Sequence, residues 1–188
     1  MQARTTALGT APLGMLMVKL SIPGMVGMIV SALYNLVDTL WVSGLAQGTQ
    51  AIAALAVLFP VQMIAGALGM GLSAGVTSLV SRRFGEARQE EVHQAAGNAL
   101  TLALGMGVVL AVCLVPLAHP VVVLFGATPE ITGPSVAYLT TIAFGFGFQL
   151  FSLTANGLYR GSGNTLVPML LLVSGALINA VLDPFLIY

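Results

Sequence analysis

The sequence predicts an all-α polytopic membrane protein, and three observations lead to that fold class. Hydrophobic residues make up 57% of the chain and charged residues only 6%, whereas a soluble domain carries about 25% charged residues. The mean hydropathy is +0.99. Five apolar stretches are each long enough for the roughly 20-residue helix that crosses a bilayer. The net charge is zero, so we expect membrane lipid and no nucleic acid as the surroundings of this chain.

The predicted organisation is a polar N-terminal tail, residues 1–12, followed by a transmembrane bundle, residues 13–188. The expected helices cover about 15–42, 52–81, 94–117, 134–159 and 166–188. Lys and Arg occur in the tail and in the second and fourth connections, and they are missing from the first and third. Cytoplasmic loops are enriched in Lys and Arg. We therefore expect a multi-pass protein of the plasma or inner membrane with its N-terminus in the cytoplasm.

The first span carries a stripe of polar and small residues at spacings of three and four, which places them on one helix face: Gly24, Gly27, Ser31, Tyr34, Asn35 and Asp38. A charge within a span costs several kcal/mol unless it is paired or wetted, so Asp38 is a candidate functional residue. Pro23 is expected to form a hinge or a static kink, or to occupy the first turn of the helix.

The fifth span carries the other intramembrane acid, Asp183, one helical turn after Asn179. Asp38 follows Leu20 by 18 residues and Asp183 follows Leu166 by 17, which are rises of about 27 and 25 Å. Both acids are therefore expected in the outer half of the membrane, and they share a cavity if the two spans are neighbours. Two acids and an amide can exchange protons or ligate a hard cation such as Na⁺.

The fourth span presents Gly145, Gln149, Ser152 and Asn156 on one face, with Tyr138 near its outer start. Tyr138 is expected near the height of the two acids. Asn156 precedes Arg160 by four residues and is expected towards the cytoplasm.

Three segments of this chain resemble the multidrug and toxic compound extrusion (MATE) transporters: SIPGMVGMIVSALYNLVDTLWVSGL, LYRGSGNTLVPM and INAVLDPFLIY. Their order and spacing are similar to the first five helices of the N-terminal lobe of that family. Members have twelve helices in two six-helix lobes, and they exchange mostly cationic or amphipathic compounds for H⁺ or Na⁺. The resemblance implies a secondary transporter without a cofactor, from which helix six and the C-terminal lobe are missing as partners.

The resemblance also assigns roles to individual residues. It implies a cation-coupling site for H⁺ or Na⁺ at Asp38, Asn179 and Asp183, which is similar to the DinF-type branch because both acids lie in the N-lobe. It implies that Pro23 is the bending proline of the first helix. The expected supporting polar residues are Tyr34, Asn35, Tyr138 and Asn156.

Three alternatives remain open. A lipid-linked glycan flippase of the same superfamily usually needs a cationic cavity, and Lys19 is the one basic residue expected deep in a helix. An intramembrane aspartyl protease would use two acids that share a proton, but this chain has VDT and LDPF in place of YD and GxGD. A noncatalytic membrane subunit would tolerate neutralisation of both acids.

Overall fold

The computed structural model of the protein describes residues 12–44 and 48–187, and the predicted tail lies outside the described residues except for Pro12. The described residues form six helices, which are α1 (Leu13–Ser43), α2 (Gly48–Gly85), α3 (Gln89–Leu114), α4 (Ala118–Leu124), α5 (Pro129–Gly161) and α6 (Leu166–Ile187). All of these except α4 are long and apolar enough to cross a membrane. The predicted fold class is therefore confirmed.

The short helix α4 was not predicted. It covers seven residues, AHPVVVL, between the third and fourth spans. Its proline lies in the first turn, where a missing N–H is tolerated. An apolar run of this length is too short to cross a bilayer, so a search for spans passes over it. Two of its residues, Ala118 and Val122, are buried against α2 and α5 in the main apolar core.

The RGSGNT segment forms the turn between α5 and α6. Gly163 has a φ of +74°, a conformation that glycine adopts without steric cost. The side-chain oxygen of Asn164 accepts a hydrogen bond of 3.3 Å from the backbone N–H of Val167. This bond satisfies one of the donors left free in the first turn of α6. The motif thus ends one helix and caps the next.

The long helices pack in two groups, a trio of α2, α3 and α5 and a pair of α1 and α6. Helix α5 makes its most extensive contacts with α2 and α3, while α1 packs mainly on α6 and only slightly on α2. Close approach within the trio depends on glycine, because a side chain at Gly107 would overlap the backbone of Gly147, and one at Gly157 would lie 2.6 Å from the carbonyl oxygen of Ser73. Small residues at such positions let membrane helices meet closely.

A ring of four charged residues closes the α2–α3 turn. Arg83 contacts Glu86 at 2.8 Å and Glu91 at 3.0 Å, and Arg88 contacts the same two carboxylates at 3.5 and 3.1 Å. The hydrogen bond from Arg83 lowers the pKa of Glu86. The ring therefore stabilises the turn fully at pH values above the ordinary carboxyl pKa. This contribution is lost as the pH falls through the lowered pKa of Glu86.

Candidate functional site

Only part of the polar stripe of helix α1 points towards the interior of the protein. Pro23 is buried, and Tyr34 and Asp38 are half-buried on the same side of the helix, whereas Asn35 is exposed. Pro23 lies ten residues after the first residue of α1, and the helix continues through it. The first-turn alternative for this proline is therefore wrong, and an interior proline, which removes one backbone hydrogen bond, is what the structure contains.

Helix α6 places Asn179 and Asp183 one above the other. Asp183 is only 7% exposed. With its amide nitrogen turned towards the carboxylate, Asn179 donates hydrogen bonds of 2.7 and 2.8 Å to the two oxygens of Asp183. Pro184 follows directly and cannot donate to the carbonyl of Ala180. The carboxylate of Asp183 and the backbone carbonyl of Ala180, which lacks its usual helical N–H donor, therefore lie within one turn of α6.

The two acids come together because α1 and α6 pack on each other. Asp38 and Asp183 lie close enough for their charges to interact. The tyrosine hydroxyls belong to the same neighbourhood, since Tyr34 is within electrostatic range of both acids and of Tyr138. The sequence analysis left open whether the first and fifth spans are neighbours, and the structure packs them together. Among the described residues, no basic side chain lies within ion-pair distance of either acid.

Gln62 is a member of this neighbourhood that the sequence analysis missed. Its amide nitrogen lies 3.3 Å from the hydroxyl of Tyr138 and donates to it, which joins α2 to α5. A single glutamine inside the apolar run LFPVQMIAG was the available signal. A polar side chain within a span needs a partner, and the structure identifies that partner.

Of the predicted polar residues, Asn156 lies apart from the acids and Asn35 is exposed. Asn156 follows Tyr138 by 18 residues on α5, a rise of about 27 Å, so it lies near the other end of the bundle. Asn35 is exposed on α1, and its carbonyl accepts a hydrogen bond from the hydroxyl of Thr39 at 2.7 Å.

The structure also contains a cavity of about 850 Å³ that is separate from the acids. It lies where α3 and α5 diverge over the end of α2, beside the charged ring. Its lining is mostly apolar and includes Phe84, Leu100 and Phe151, with His93 and Tyr159 among its polar residues. None of the predicted site residues lines it.

The acid neighbourhood offers groups that could hold a cation. It offers two carboxylates, an amide that can present either nitrogen or oxygen, and phenol hydroxyls. Oxygen groups of this kind suit a hard cation, and adjacent carboxylates can also hold and exchange a proton. Asp38, Asp183 and Asn179 are the residues that could ligate Na⁺.

Comparison with known proteins gives the family. The profile described as MatE matches residues 23–185. The FAD transporter of Shewanella oneidensis is 28% identical over 180 residues, which cover 95% of this chain and 39% of that protein. The probable multidrug resistance protein YoeA of Bacillus subtilis is 26% identical over 140 residues, or 74% of this chain and 30% of that protein.

A solved structure gives the same result for the fold. The MATE multidrug transporter DinF-BH, solved as a complex, matches with a TM-score of 0.88 at 38% identity, and the match covers 95% of this chain and 40% of that chain. The chain thus spans about two fifths of the length of the FAD transporter and of DinF-BH. It belongs to the MatE family, the multidrug and toxic compound extrusion transporters, which are secondary transporters and not enzymes.

Proposed function

We propose that this protein is an antiporter that exports cationic or amphipathic toxic compounds in exchange for H⁺ or Na⁺. The observation that carries the proposal is the pair Asp38 and Asp183, which lie on the neighbouring helices α1 and α6 within range of each other's charge and without a basic partner among the described residues. An unneutralised pair of acids in a membrane bundle is costly unless it binds a cation. The coupling ion is that cation.

The proposed cycle uses the amide of Asn179 as a sensor of the bound ion. In this cycle the orientation in which the nitrogen donates to Asp183 belongs to the state before the cation binds. Binding of Na⁺ would favour the opposite amide orientation, with the oxygen towards the ion, and binding of H⁺ would convert one carboxyl into a donor. Either ion would change the hydrogen bonds within α6 and the charge repulsion between Asp183 and Asp38 of α1. Because an ion can drive a conformational change only through unequal affinity for two states, the packing of α1 must differ between those states.

Two further features support a role for α1 and α5 in this cycle. Pro23 lies about 22 Å below Asp38 on α1, where a missing backbone hydrogen bond makes bending easier. Tyr34 of α1 lies within electrostatic range of Tyr138 in the trio, whose hydroxyl accepts the hydrogen bond from Gln62. In the orientation favoured by the basic loops, the N-terminus is cytoplasmic and the acids lie in the outer half of the membrane.

The relatives indicate the substrate class only broadly. The relatives named above are described as an FAD transporter, a probable multidrug resistance protein and a multidrug transporter. We propose drug-sized aromatic compounds as substrates. The fluorescent aromatic cation rhodamine 6G is a practical first probe.

The test is efflux of rhodamine 6G by the full-length protein in proteoliposomes, under a pH gradient and a Na⁺ gradient imposed separately. One gradient should drive transport, and Asp38→Asn and Asp183→Asn should each reduce coupled transport to background. Glu130→Gln is the matched control, because Glu130 is an exposed acid in the first turn of α5 and should transport like wild type. Wild-type efflux by both aspartate variants would refute the proposal and favour a noncatalytic subunit.

A further inference from the structure

The cavity of about 850 Å³ beside the charged ring is as deep as one leaflet of a bilayer. On α3 its lining extends from Gln89 to Leu100, and on α5 it extends from Ser162 back to Phe151. Each pair is separated by eleven positions in the sequence, which is a rise of about 16 Å. Half of the hydrocarbon core of a membrane is about 15 Å thick. In the orientation proposed above, the leaflet at this height is the cytoplasmic one.

The lining of the cavity changes from apolar to polar along this depth. Its deep end, at Leu100 and Phe151, is apolar. All four polar lining residues lie within about one helical turn of the shallow end, and they are Gln89, His93, Tyr159 and Ser162. An amphiphile with an acyl chain directed into the bilayer and a headgroup at the interface has the same order of polarity. The cavity is therefore shaped and lined for a lipid.

The walls of the cavity are accessible from outside the bundle. Phe151 is 37% exposed and Tyr159 is 38% exposed, and Gln89 and His93 on α3 are exposed as well. Concave sites with large exposed apolar side chains are typical of ligand binding. Both helices are long and apolar enough to cross a membrane, so the molecules that surround these walls at this depth are lipids.

The charges beside the shallow end are balanced. Residues 82–91 contain three arginines and three glutamates, and four of these six side chains form the charged ring. Arg88 of the ring lies between the lining residues Ala87 and Gln89. An anionic headgroup would meet as many carboxylates as guanidiniums here. A zwitterionic headgroup complements both, because its phosphate pairs with a guanidinium and its ammonium N–H groups pair with a carboxylate.

We propose that this cavity binds a zwitterionic phospholipid of the adjoining leaflet, with one acyl chain between α3 and α5 and the headgroup beside the charged ring. Phosphatidylethanolamine has the required chemistry, since it joins a phosphate to a primary ammonium. The site is separate from Asp38 and Asp183, and this inference goes beyond the proposed antiport and does not depend on it.

The test is native mass spectrometry of the full-length protein, delipidated in detergent and titrated with palmitoyl-oleoyl phosphatidylethanolamine or with phosphatidylglycerol that carries the same chains. The wild-type protein should bind one equivalent of phosphatidylethanolamine about tenfold or more tightly than phosphatidylglycerol, because only the former donates hydrogen bonds from a charged group to the carboxylates. Phosphatidylethanolamine should also raise the unfolding temperature, since a ligand that binds only the folded state stabilises it.

Substitutions that fill the cavity test its location. Ala96 lines the α3 wall midway along the depth, and Ala96→Phe should weaken phosphatidylethanolamine binding about tenfold or more because displaced methylene groups lose their burial. The rise in unfolding temperature should disappear as well. Ala155→Leu is a smaller change on the α5 wall and should act in the same direction, which keeps the test decisive if Ala96→Phe fails to fold.

The matched control is Thr101→Phe. Thr101 is exposed on α3 next to the deep end but does not line the cavity, so this variant should bind phosphatidylethanolamine like wild type. Undiminished binding in both cavity-filling variants would place the lipid elsewhere and overturn the inference. Equal or tighter binding of phosphatidylglycerol would overturn it too, as would the lack of any specific lipid equivalent, which would show that another part of the full-length protein covers the cavity.

Discussion

Asn179 is the residue on which the chemistry of Asp183 most directly depends. Its two hydrogen bonds, of 2.7 and 2.8 Å, fix both carboxylate oxygens of a side chain that is 7% exposed. Asn179→Leu keeps a similar volume and removes both donors. We expect the rate of coupled efflux at a fixed gradient to fall about tenfold or more, the usual effect of losing hydrogen bonds to a charged group. The measurement is the initial rate of rhodamine 6G efflux in proteoliposomes.

A control for that substitution is available on the same helix. Ser174 is exposed and bonds only the backbone carbonyl of Leu171 among the described residues, so Ser174→Ala should transport like wild type. Efflux by Asn179→Leu at the wild-type rate would mean that the orientation of Asp183 does not depend on the amide.

The sequence predicted the matched depth of the two acids because helix rise is a fixed length, whereas their convergence also required that α1 and α6 be neighbours. Counting residues from the start of each span put Asp38 and Asp183 at similar depths, and the structure brings them together. The same counting separated Asn156 from the acids. Periodicity does not give the direction of a long side chain or its partner on another helix, however. For that reason the contact of Gln62 with Tyr138 and the hydrogen bond from Arg160 to Ser73 had to come from the structure.

The contact between α2 and α5 depends on single glycines, and Gly157 is the clearest case. A methyl group there would lie 2.6 Å from both the carbonyl and the hydroxyl oxygens of Ser73. Gly157→Ala should therefore push the helices apart and weaken the bond from Thr77 to the Gly157 carbonyl, now 2.9 Å. We expect a loss of about 1–3 kcal/mol in the free energy of unfolding, measured by unfolding in detergent micelles.

Gly145 provides the comparison within the same helix. A methyl group at Gly145 meets no atom within 4 Å, so Gly145→Ala should leave stability unchanged or raise it by up to about 1 kcal/mol through helix propensity. Equal effects of the two substitutions would show that glycine acts through backbone freedom and not through close packing.

The sequence predicted which segments form the long helices, but it did not predict where those helices end. Long apolar runs indicate spans regardless of their partners, and all five predicted spans correspond to helices. The ends depend on local contacts that composition does not show. Helix α2 continues to Gly85, past the predicted end at residue 81, because Arg83 forms ion pairs with Glu86 and Glu91 beyond the span.

At the scale of the whole molecule, the described residues show a weak internal boundary between the α1–α6 pair and the α2–α3–α5 trio. Helix α1 contacts α2 only slightly, and α6 contacts α5 even less, whereas the contacts within each group are extensive. Movements in proteins tend to occur where packed elements can adopt two arrangements. The two acids both lie within the pair, while Gln62 and Tyr138 lie in the trio. Ion binding is therefore expected to shift the pair as a unit against the trio.

Spin-label distances in the full-length protein test this expectation. Cys113 is an exposed native cysteine on α3, so Met28→Cys supplies an α1–α3 label pair. Met28→Cys with Ile178→Cys in a Cys113→Ala background supplies an α1–α6 pair at exposed positions. On changing from an ion-free to an ion-saturated state, the first distance should change by about 2 Å or more and the second should stay nearly constant. A comparable change in both distances would show that α1 bends independently at Pro23 instead of moving with α6.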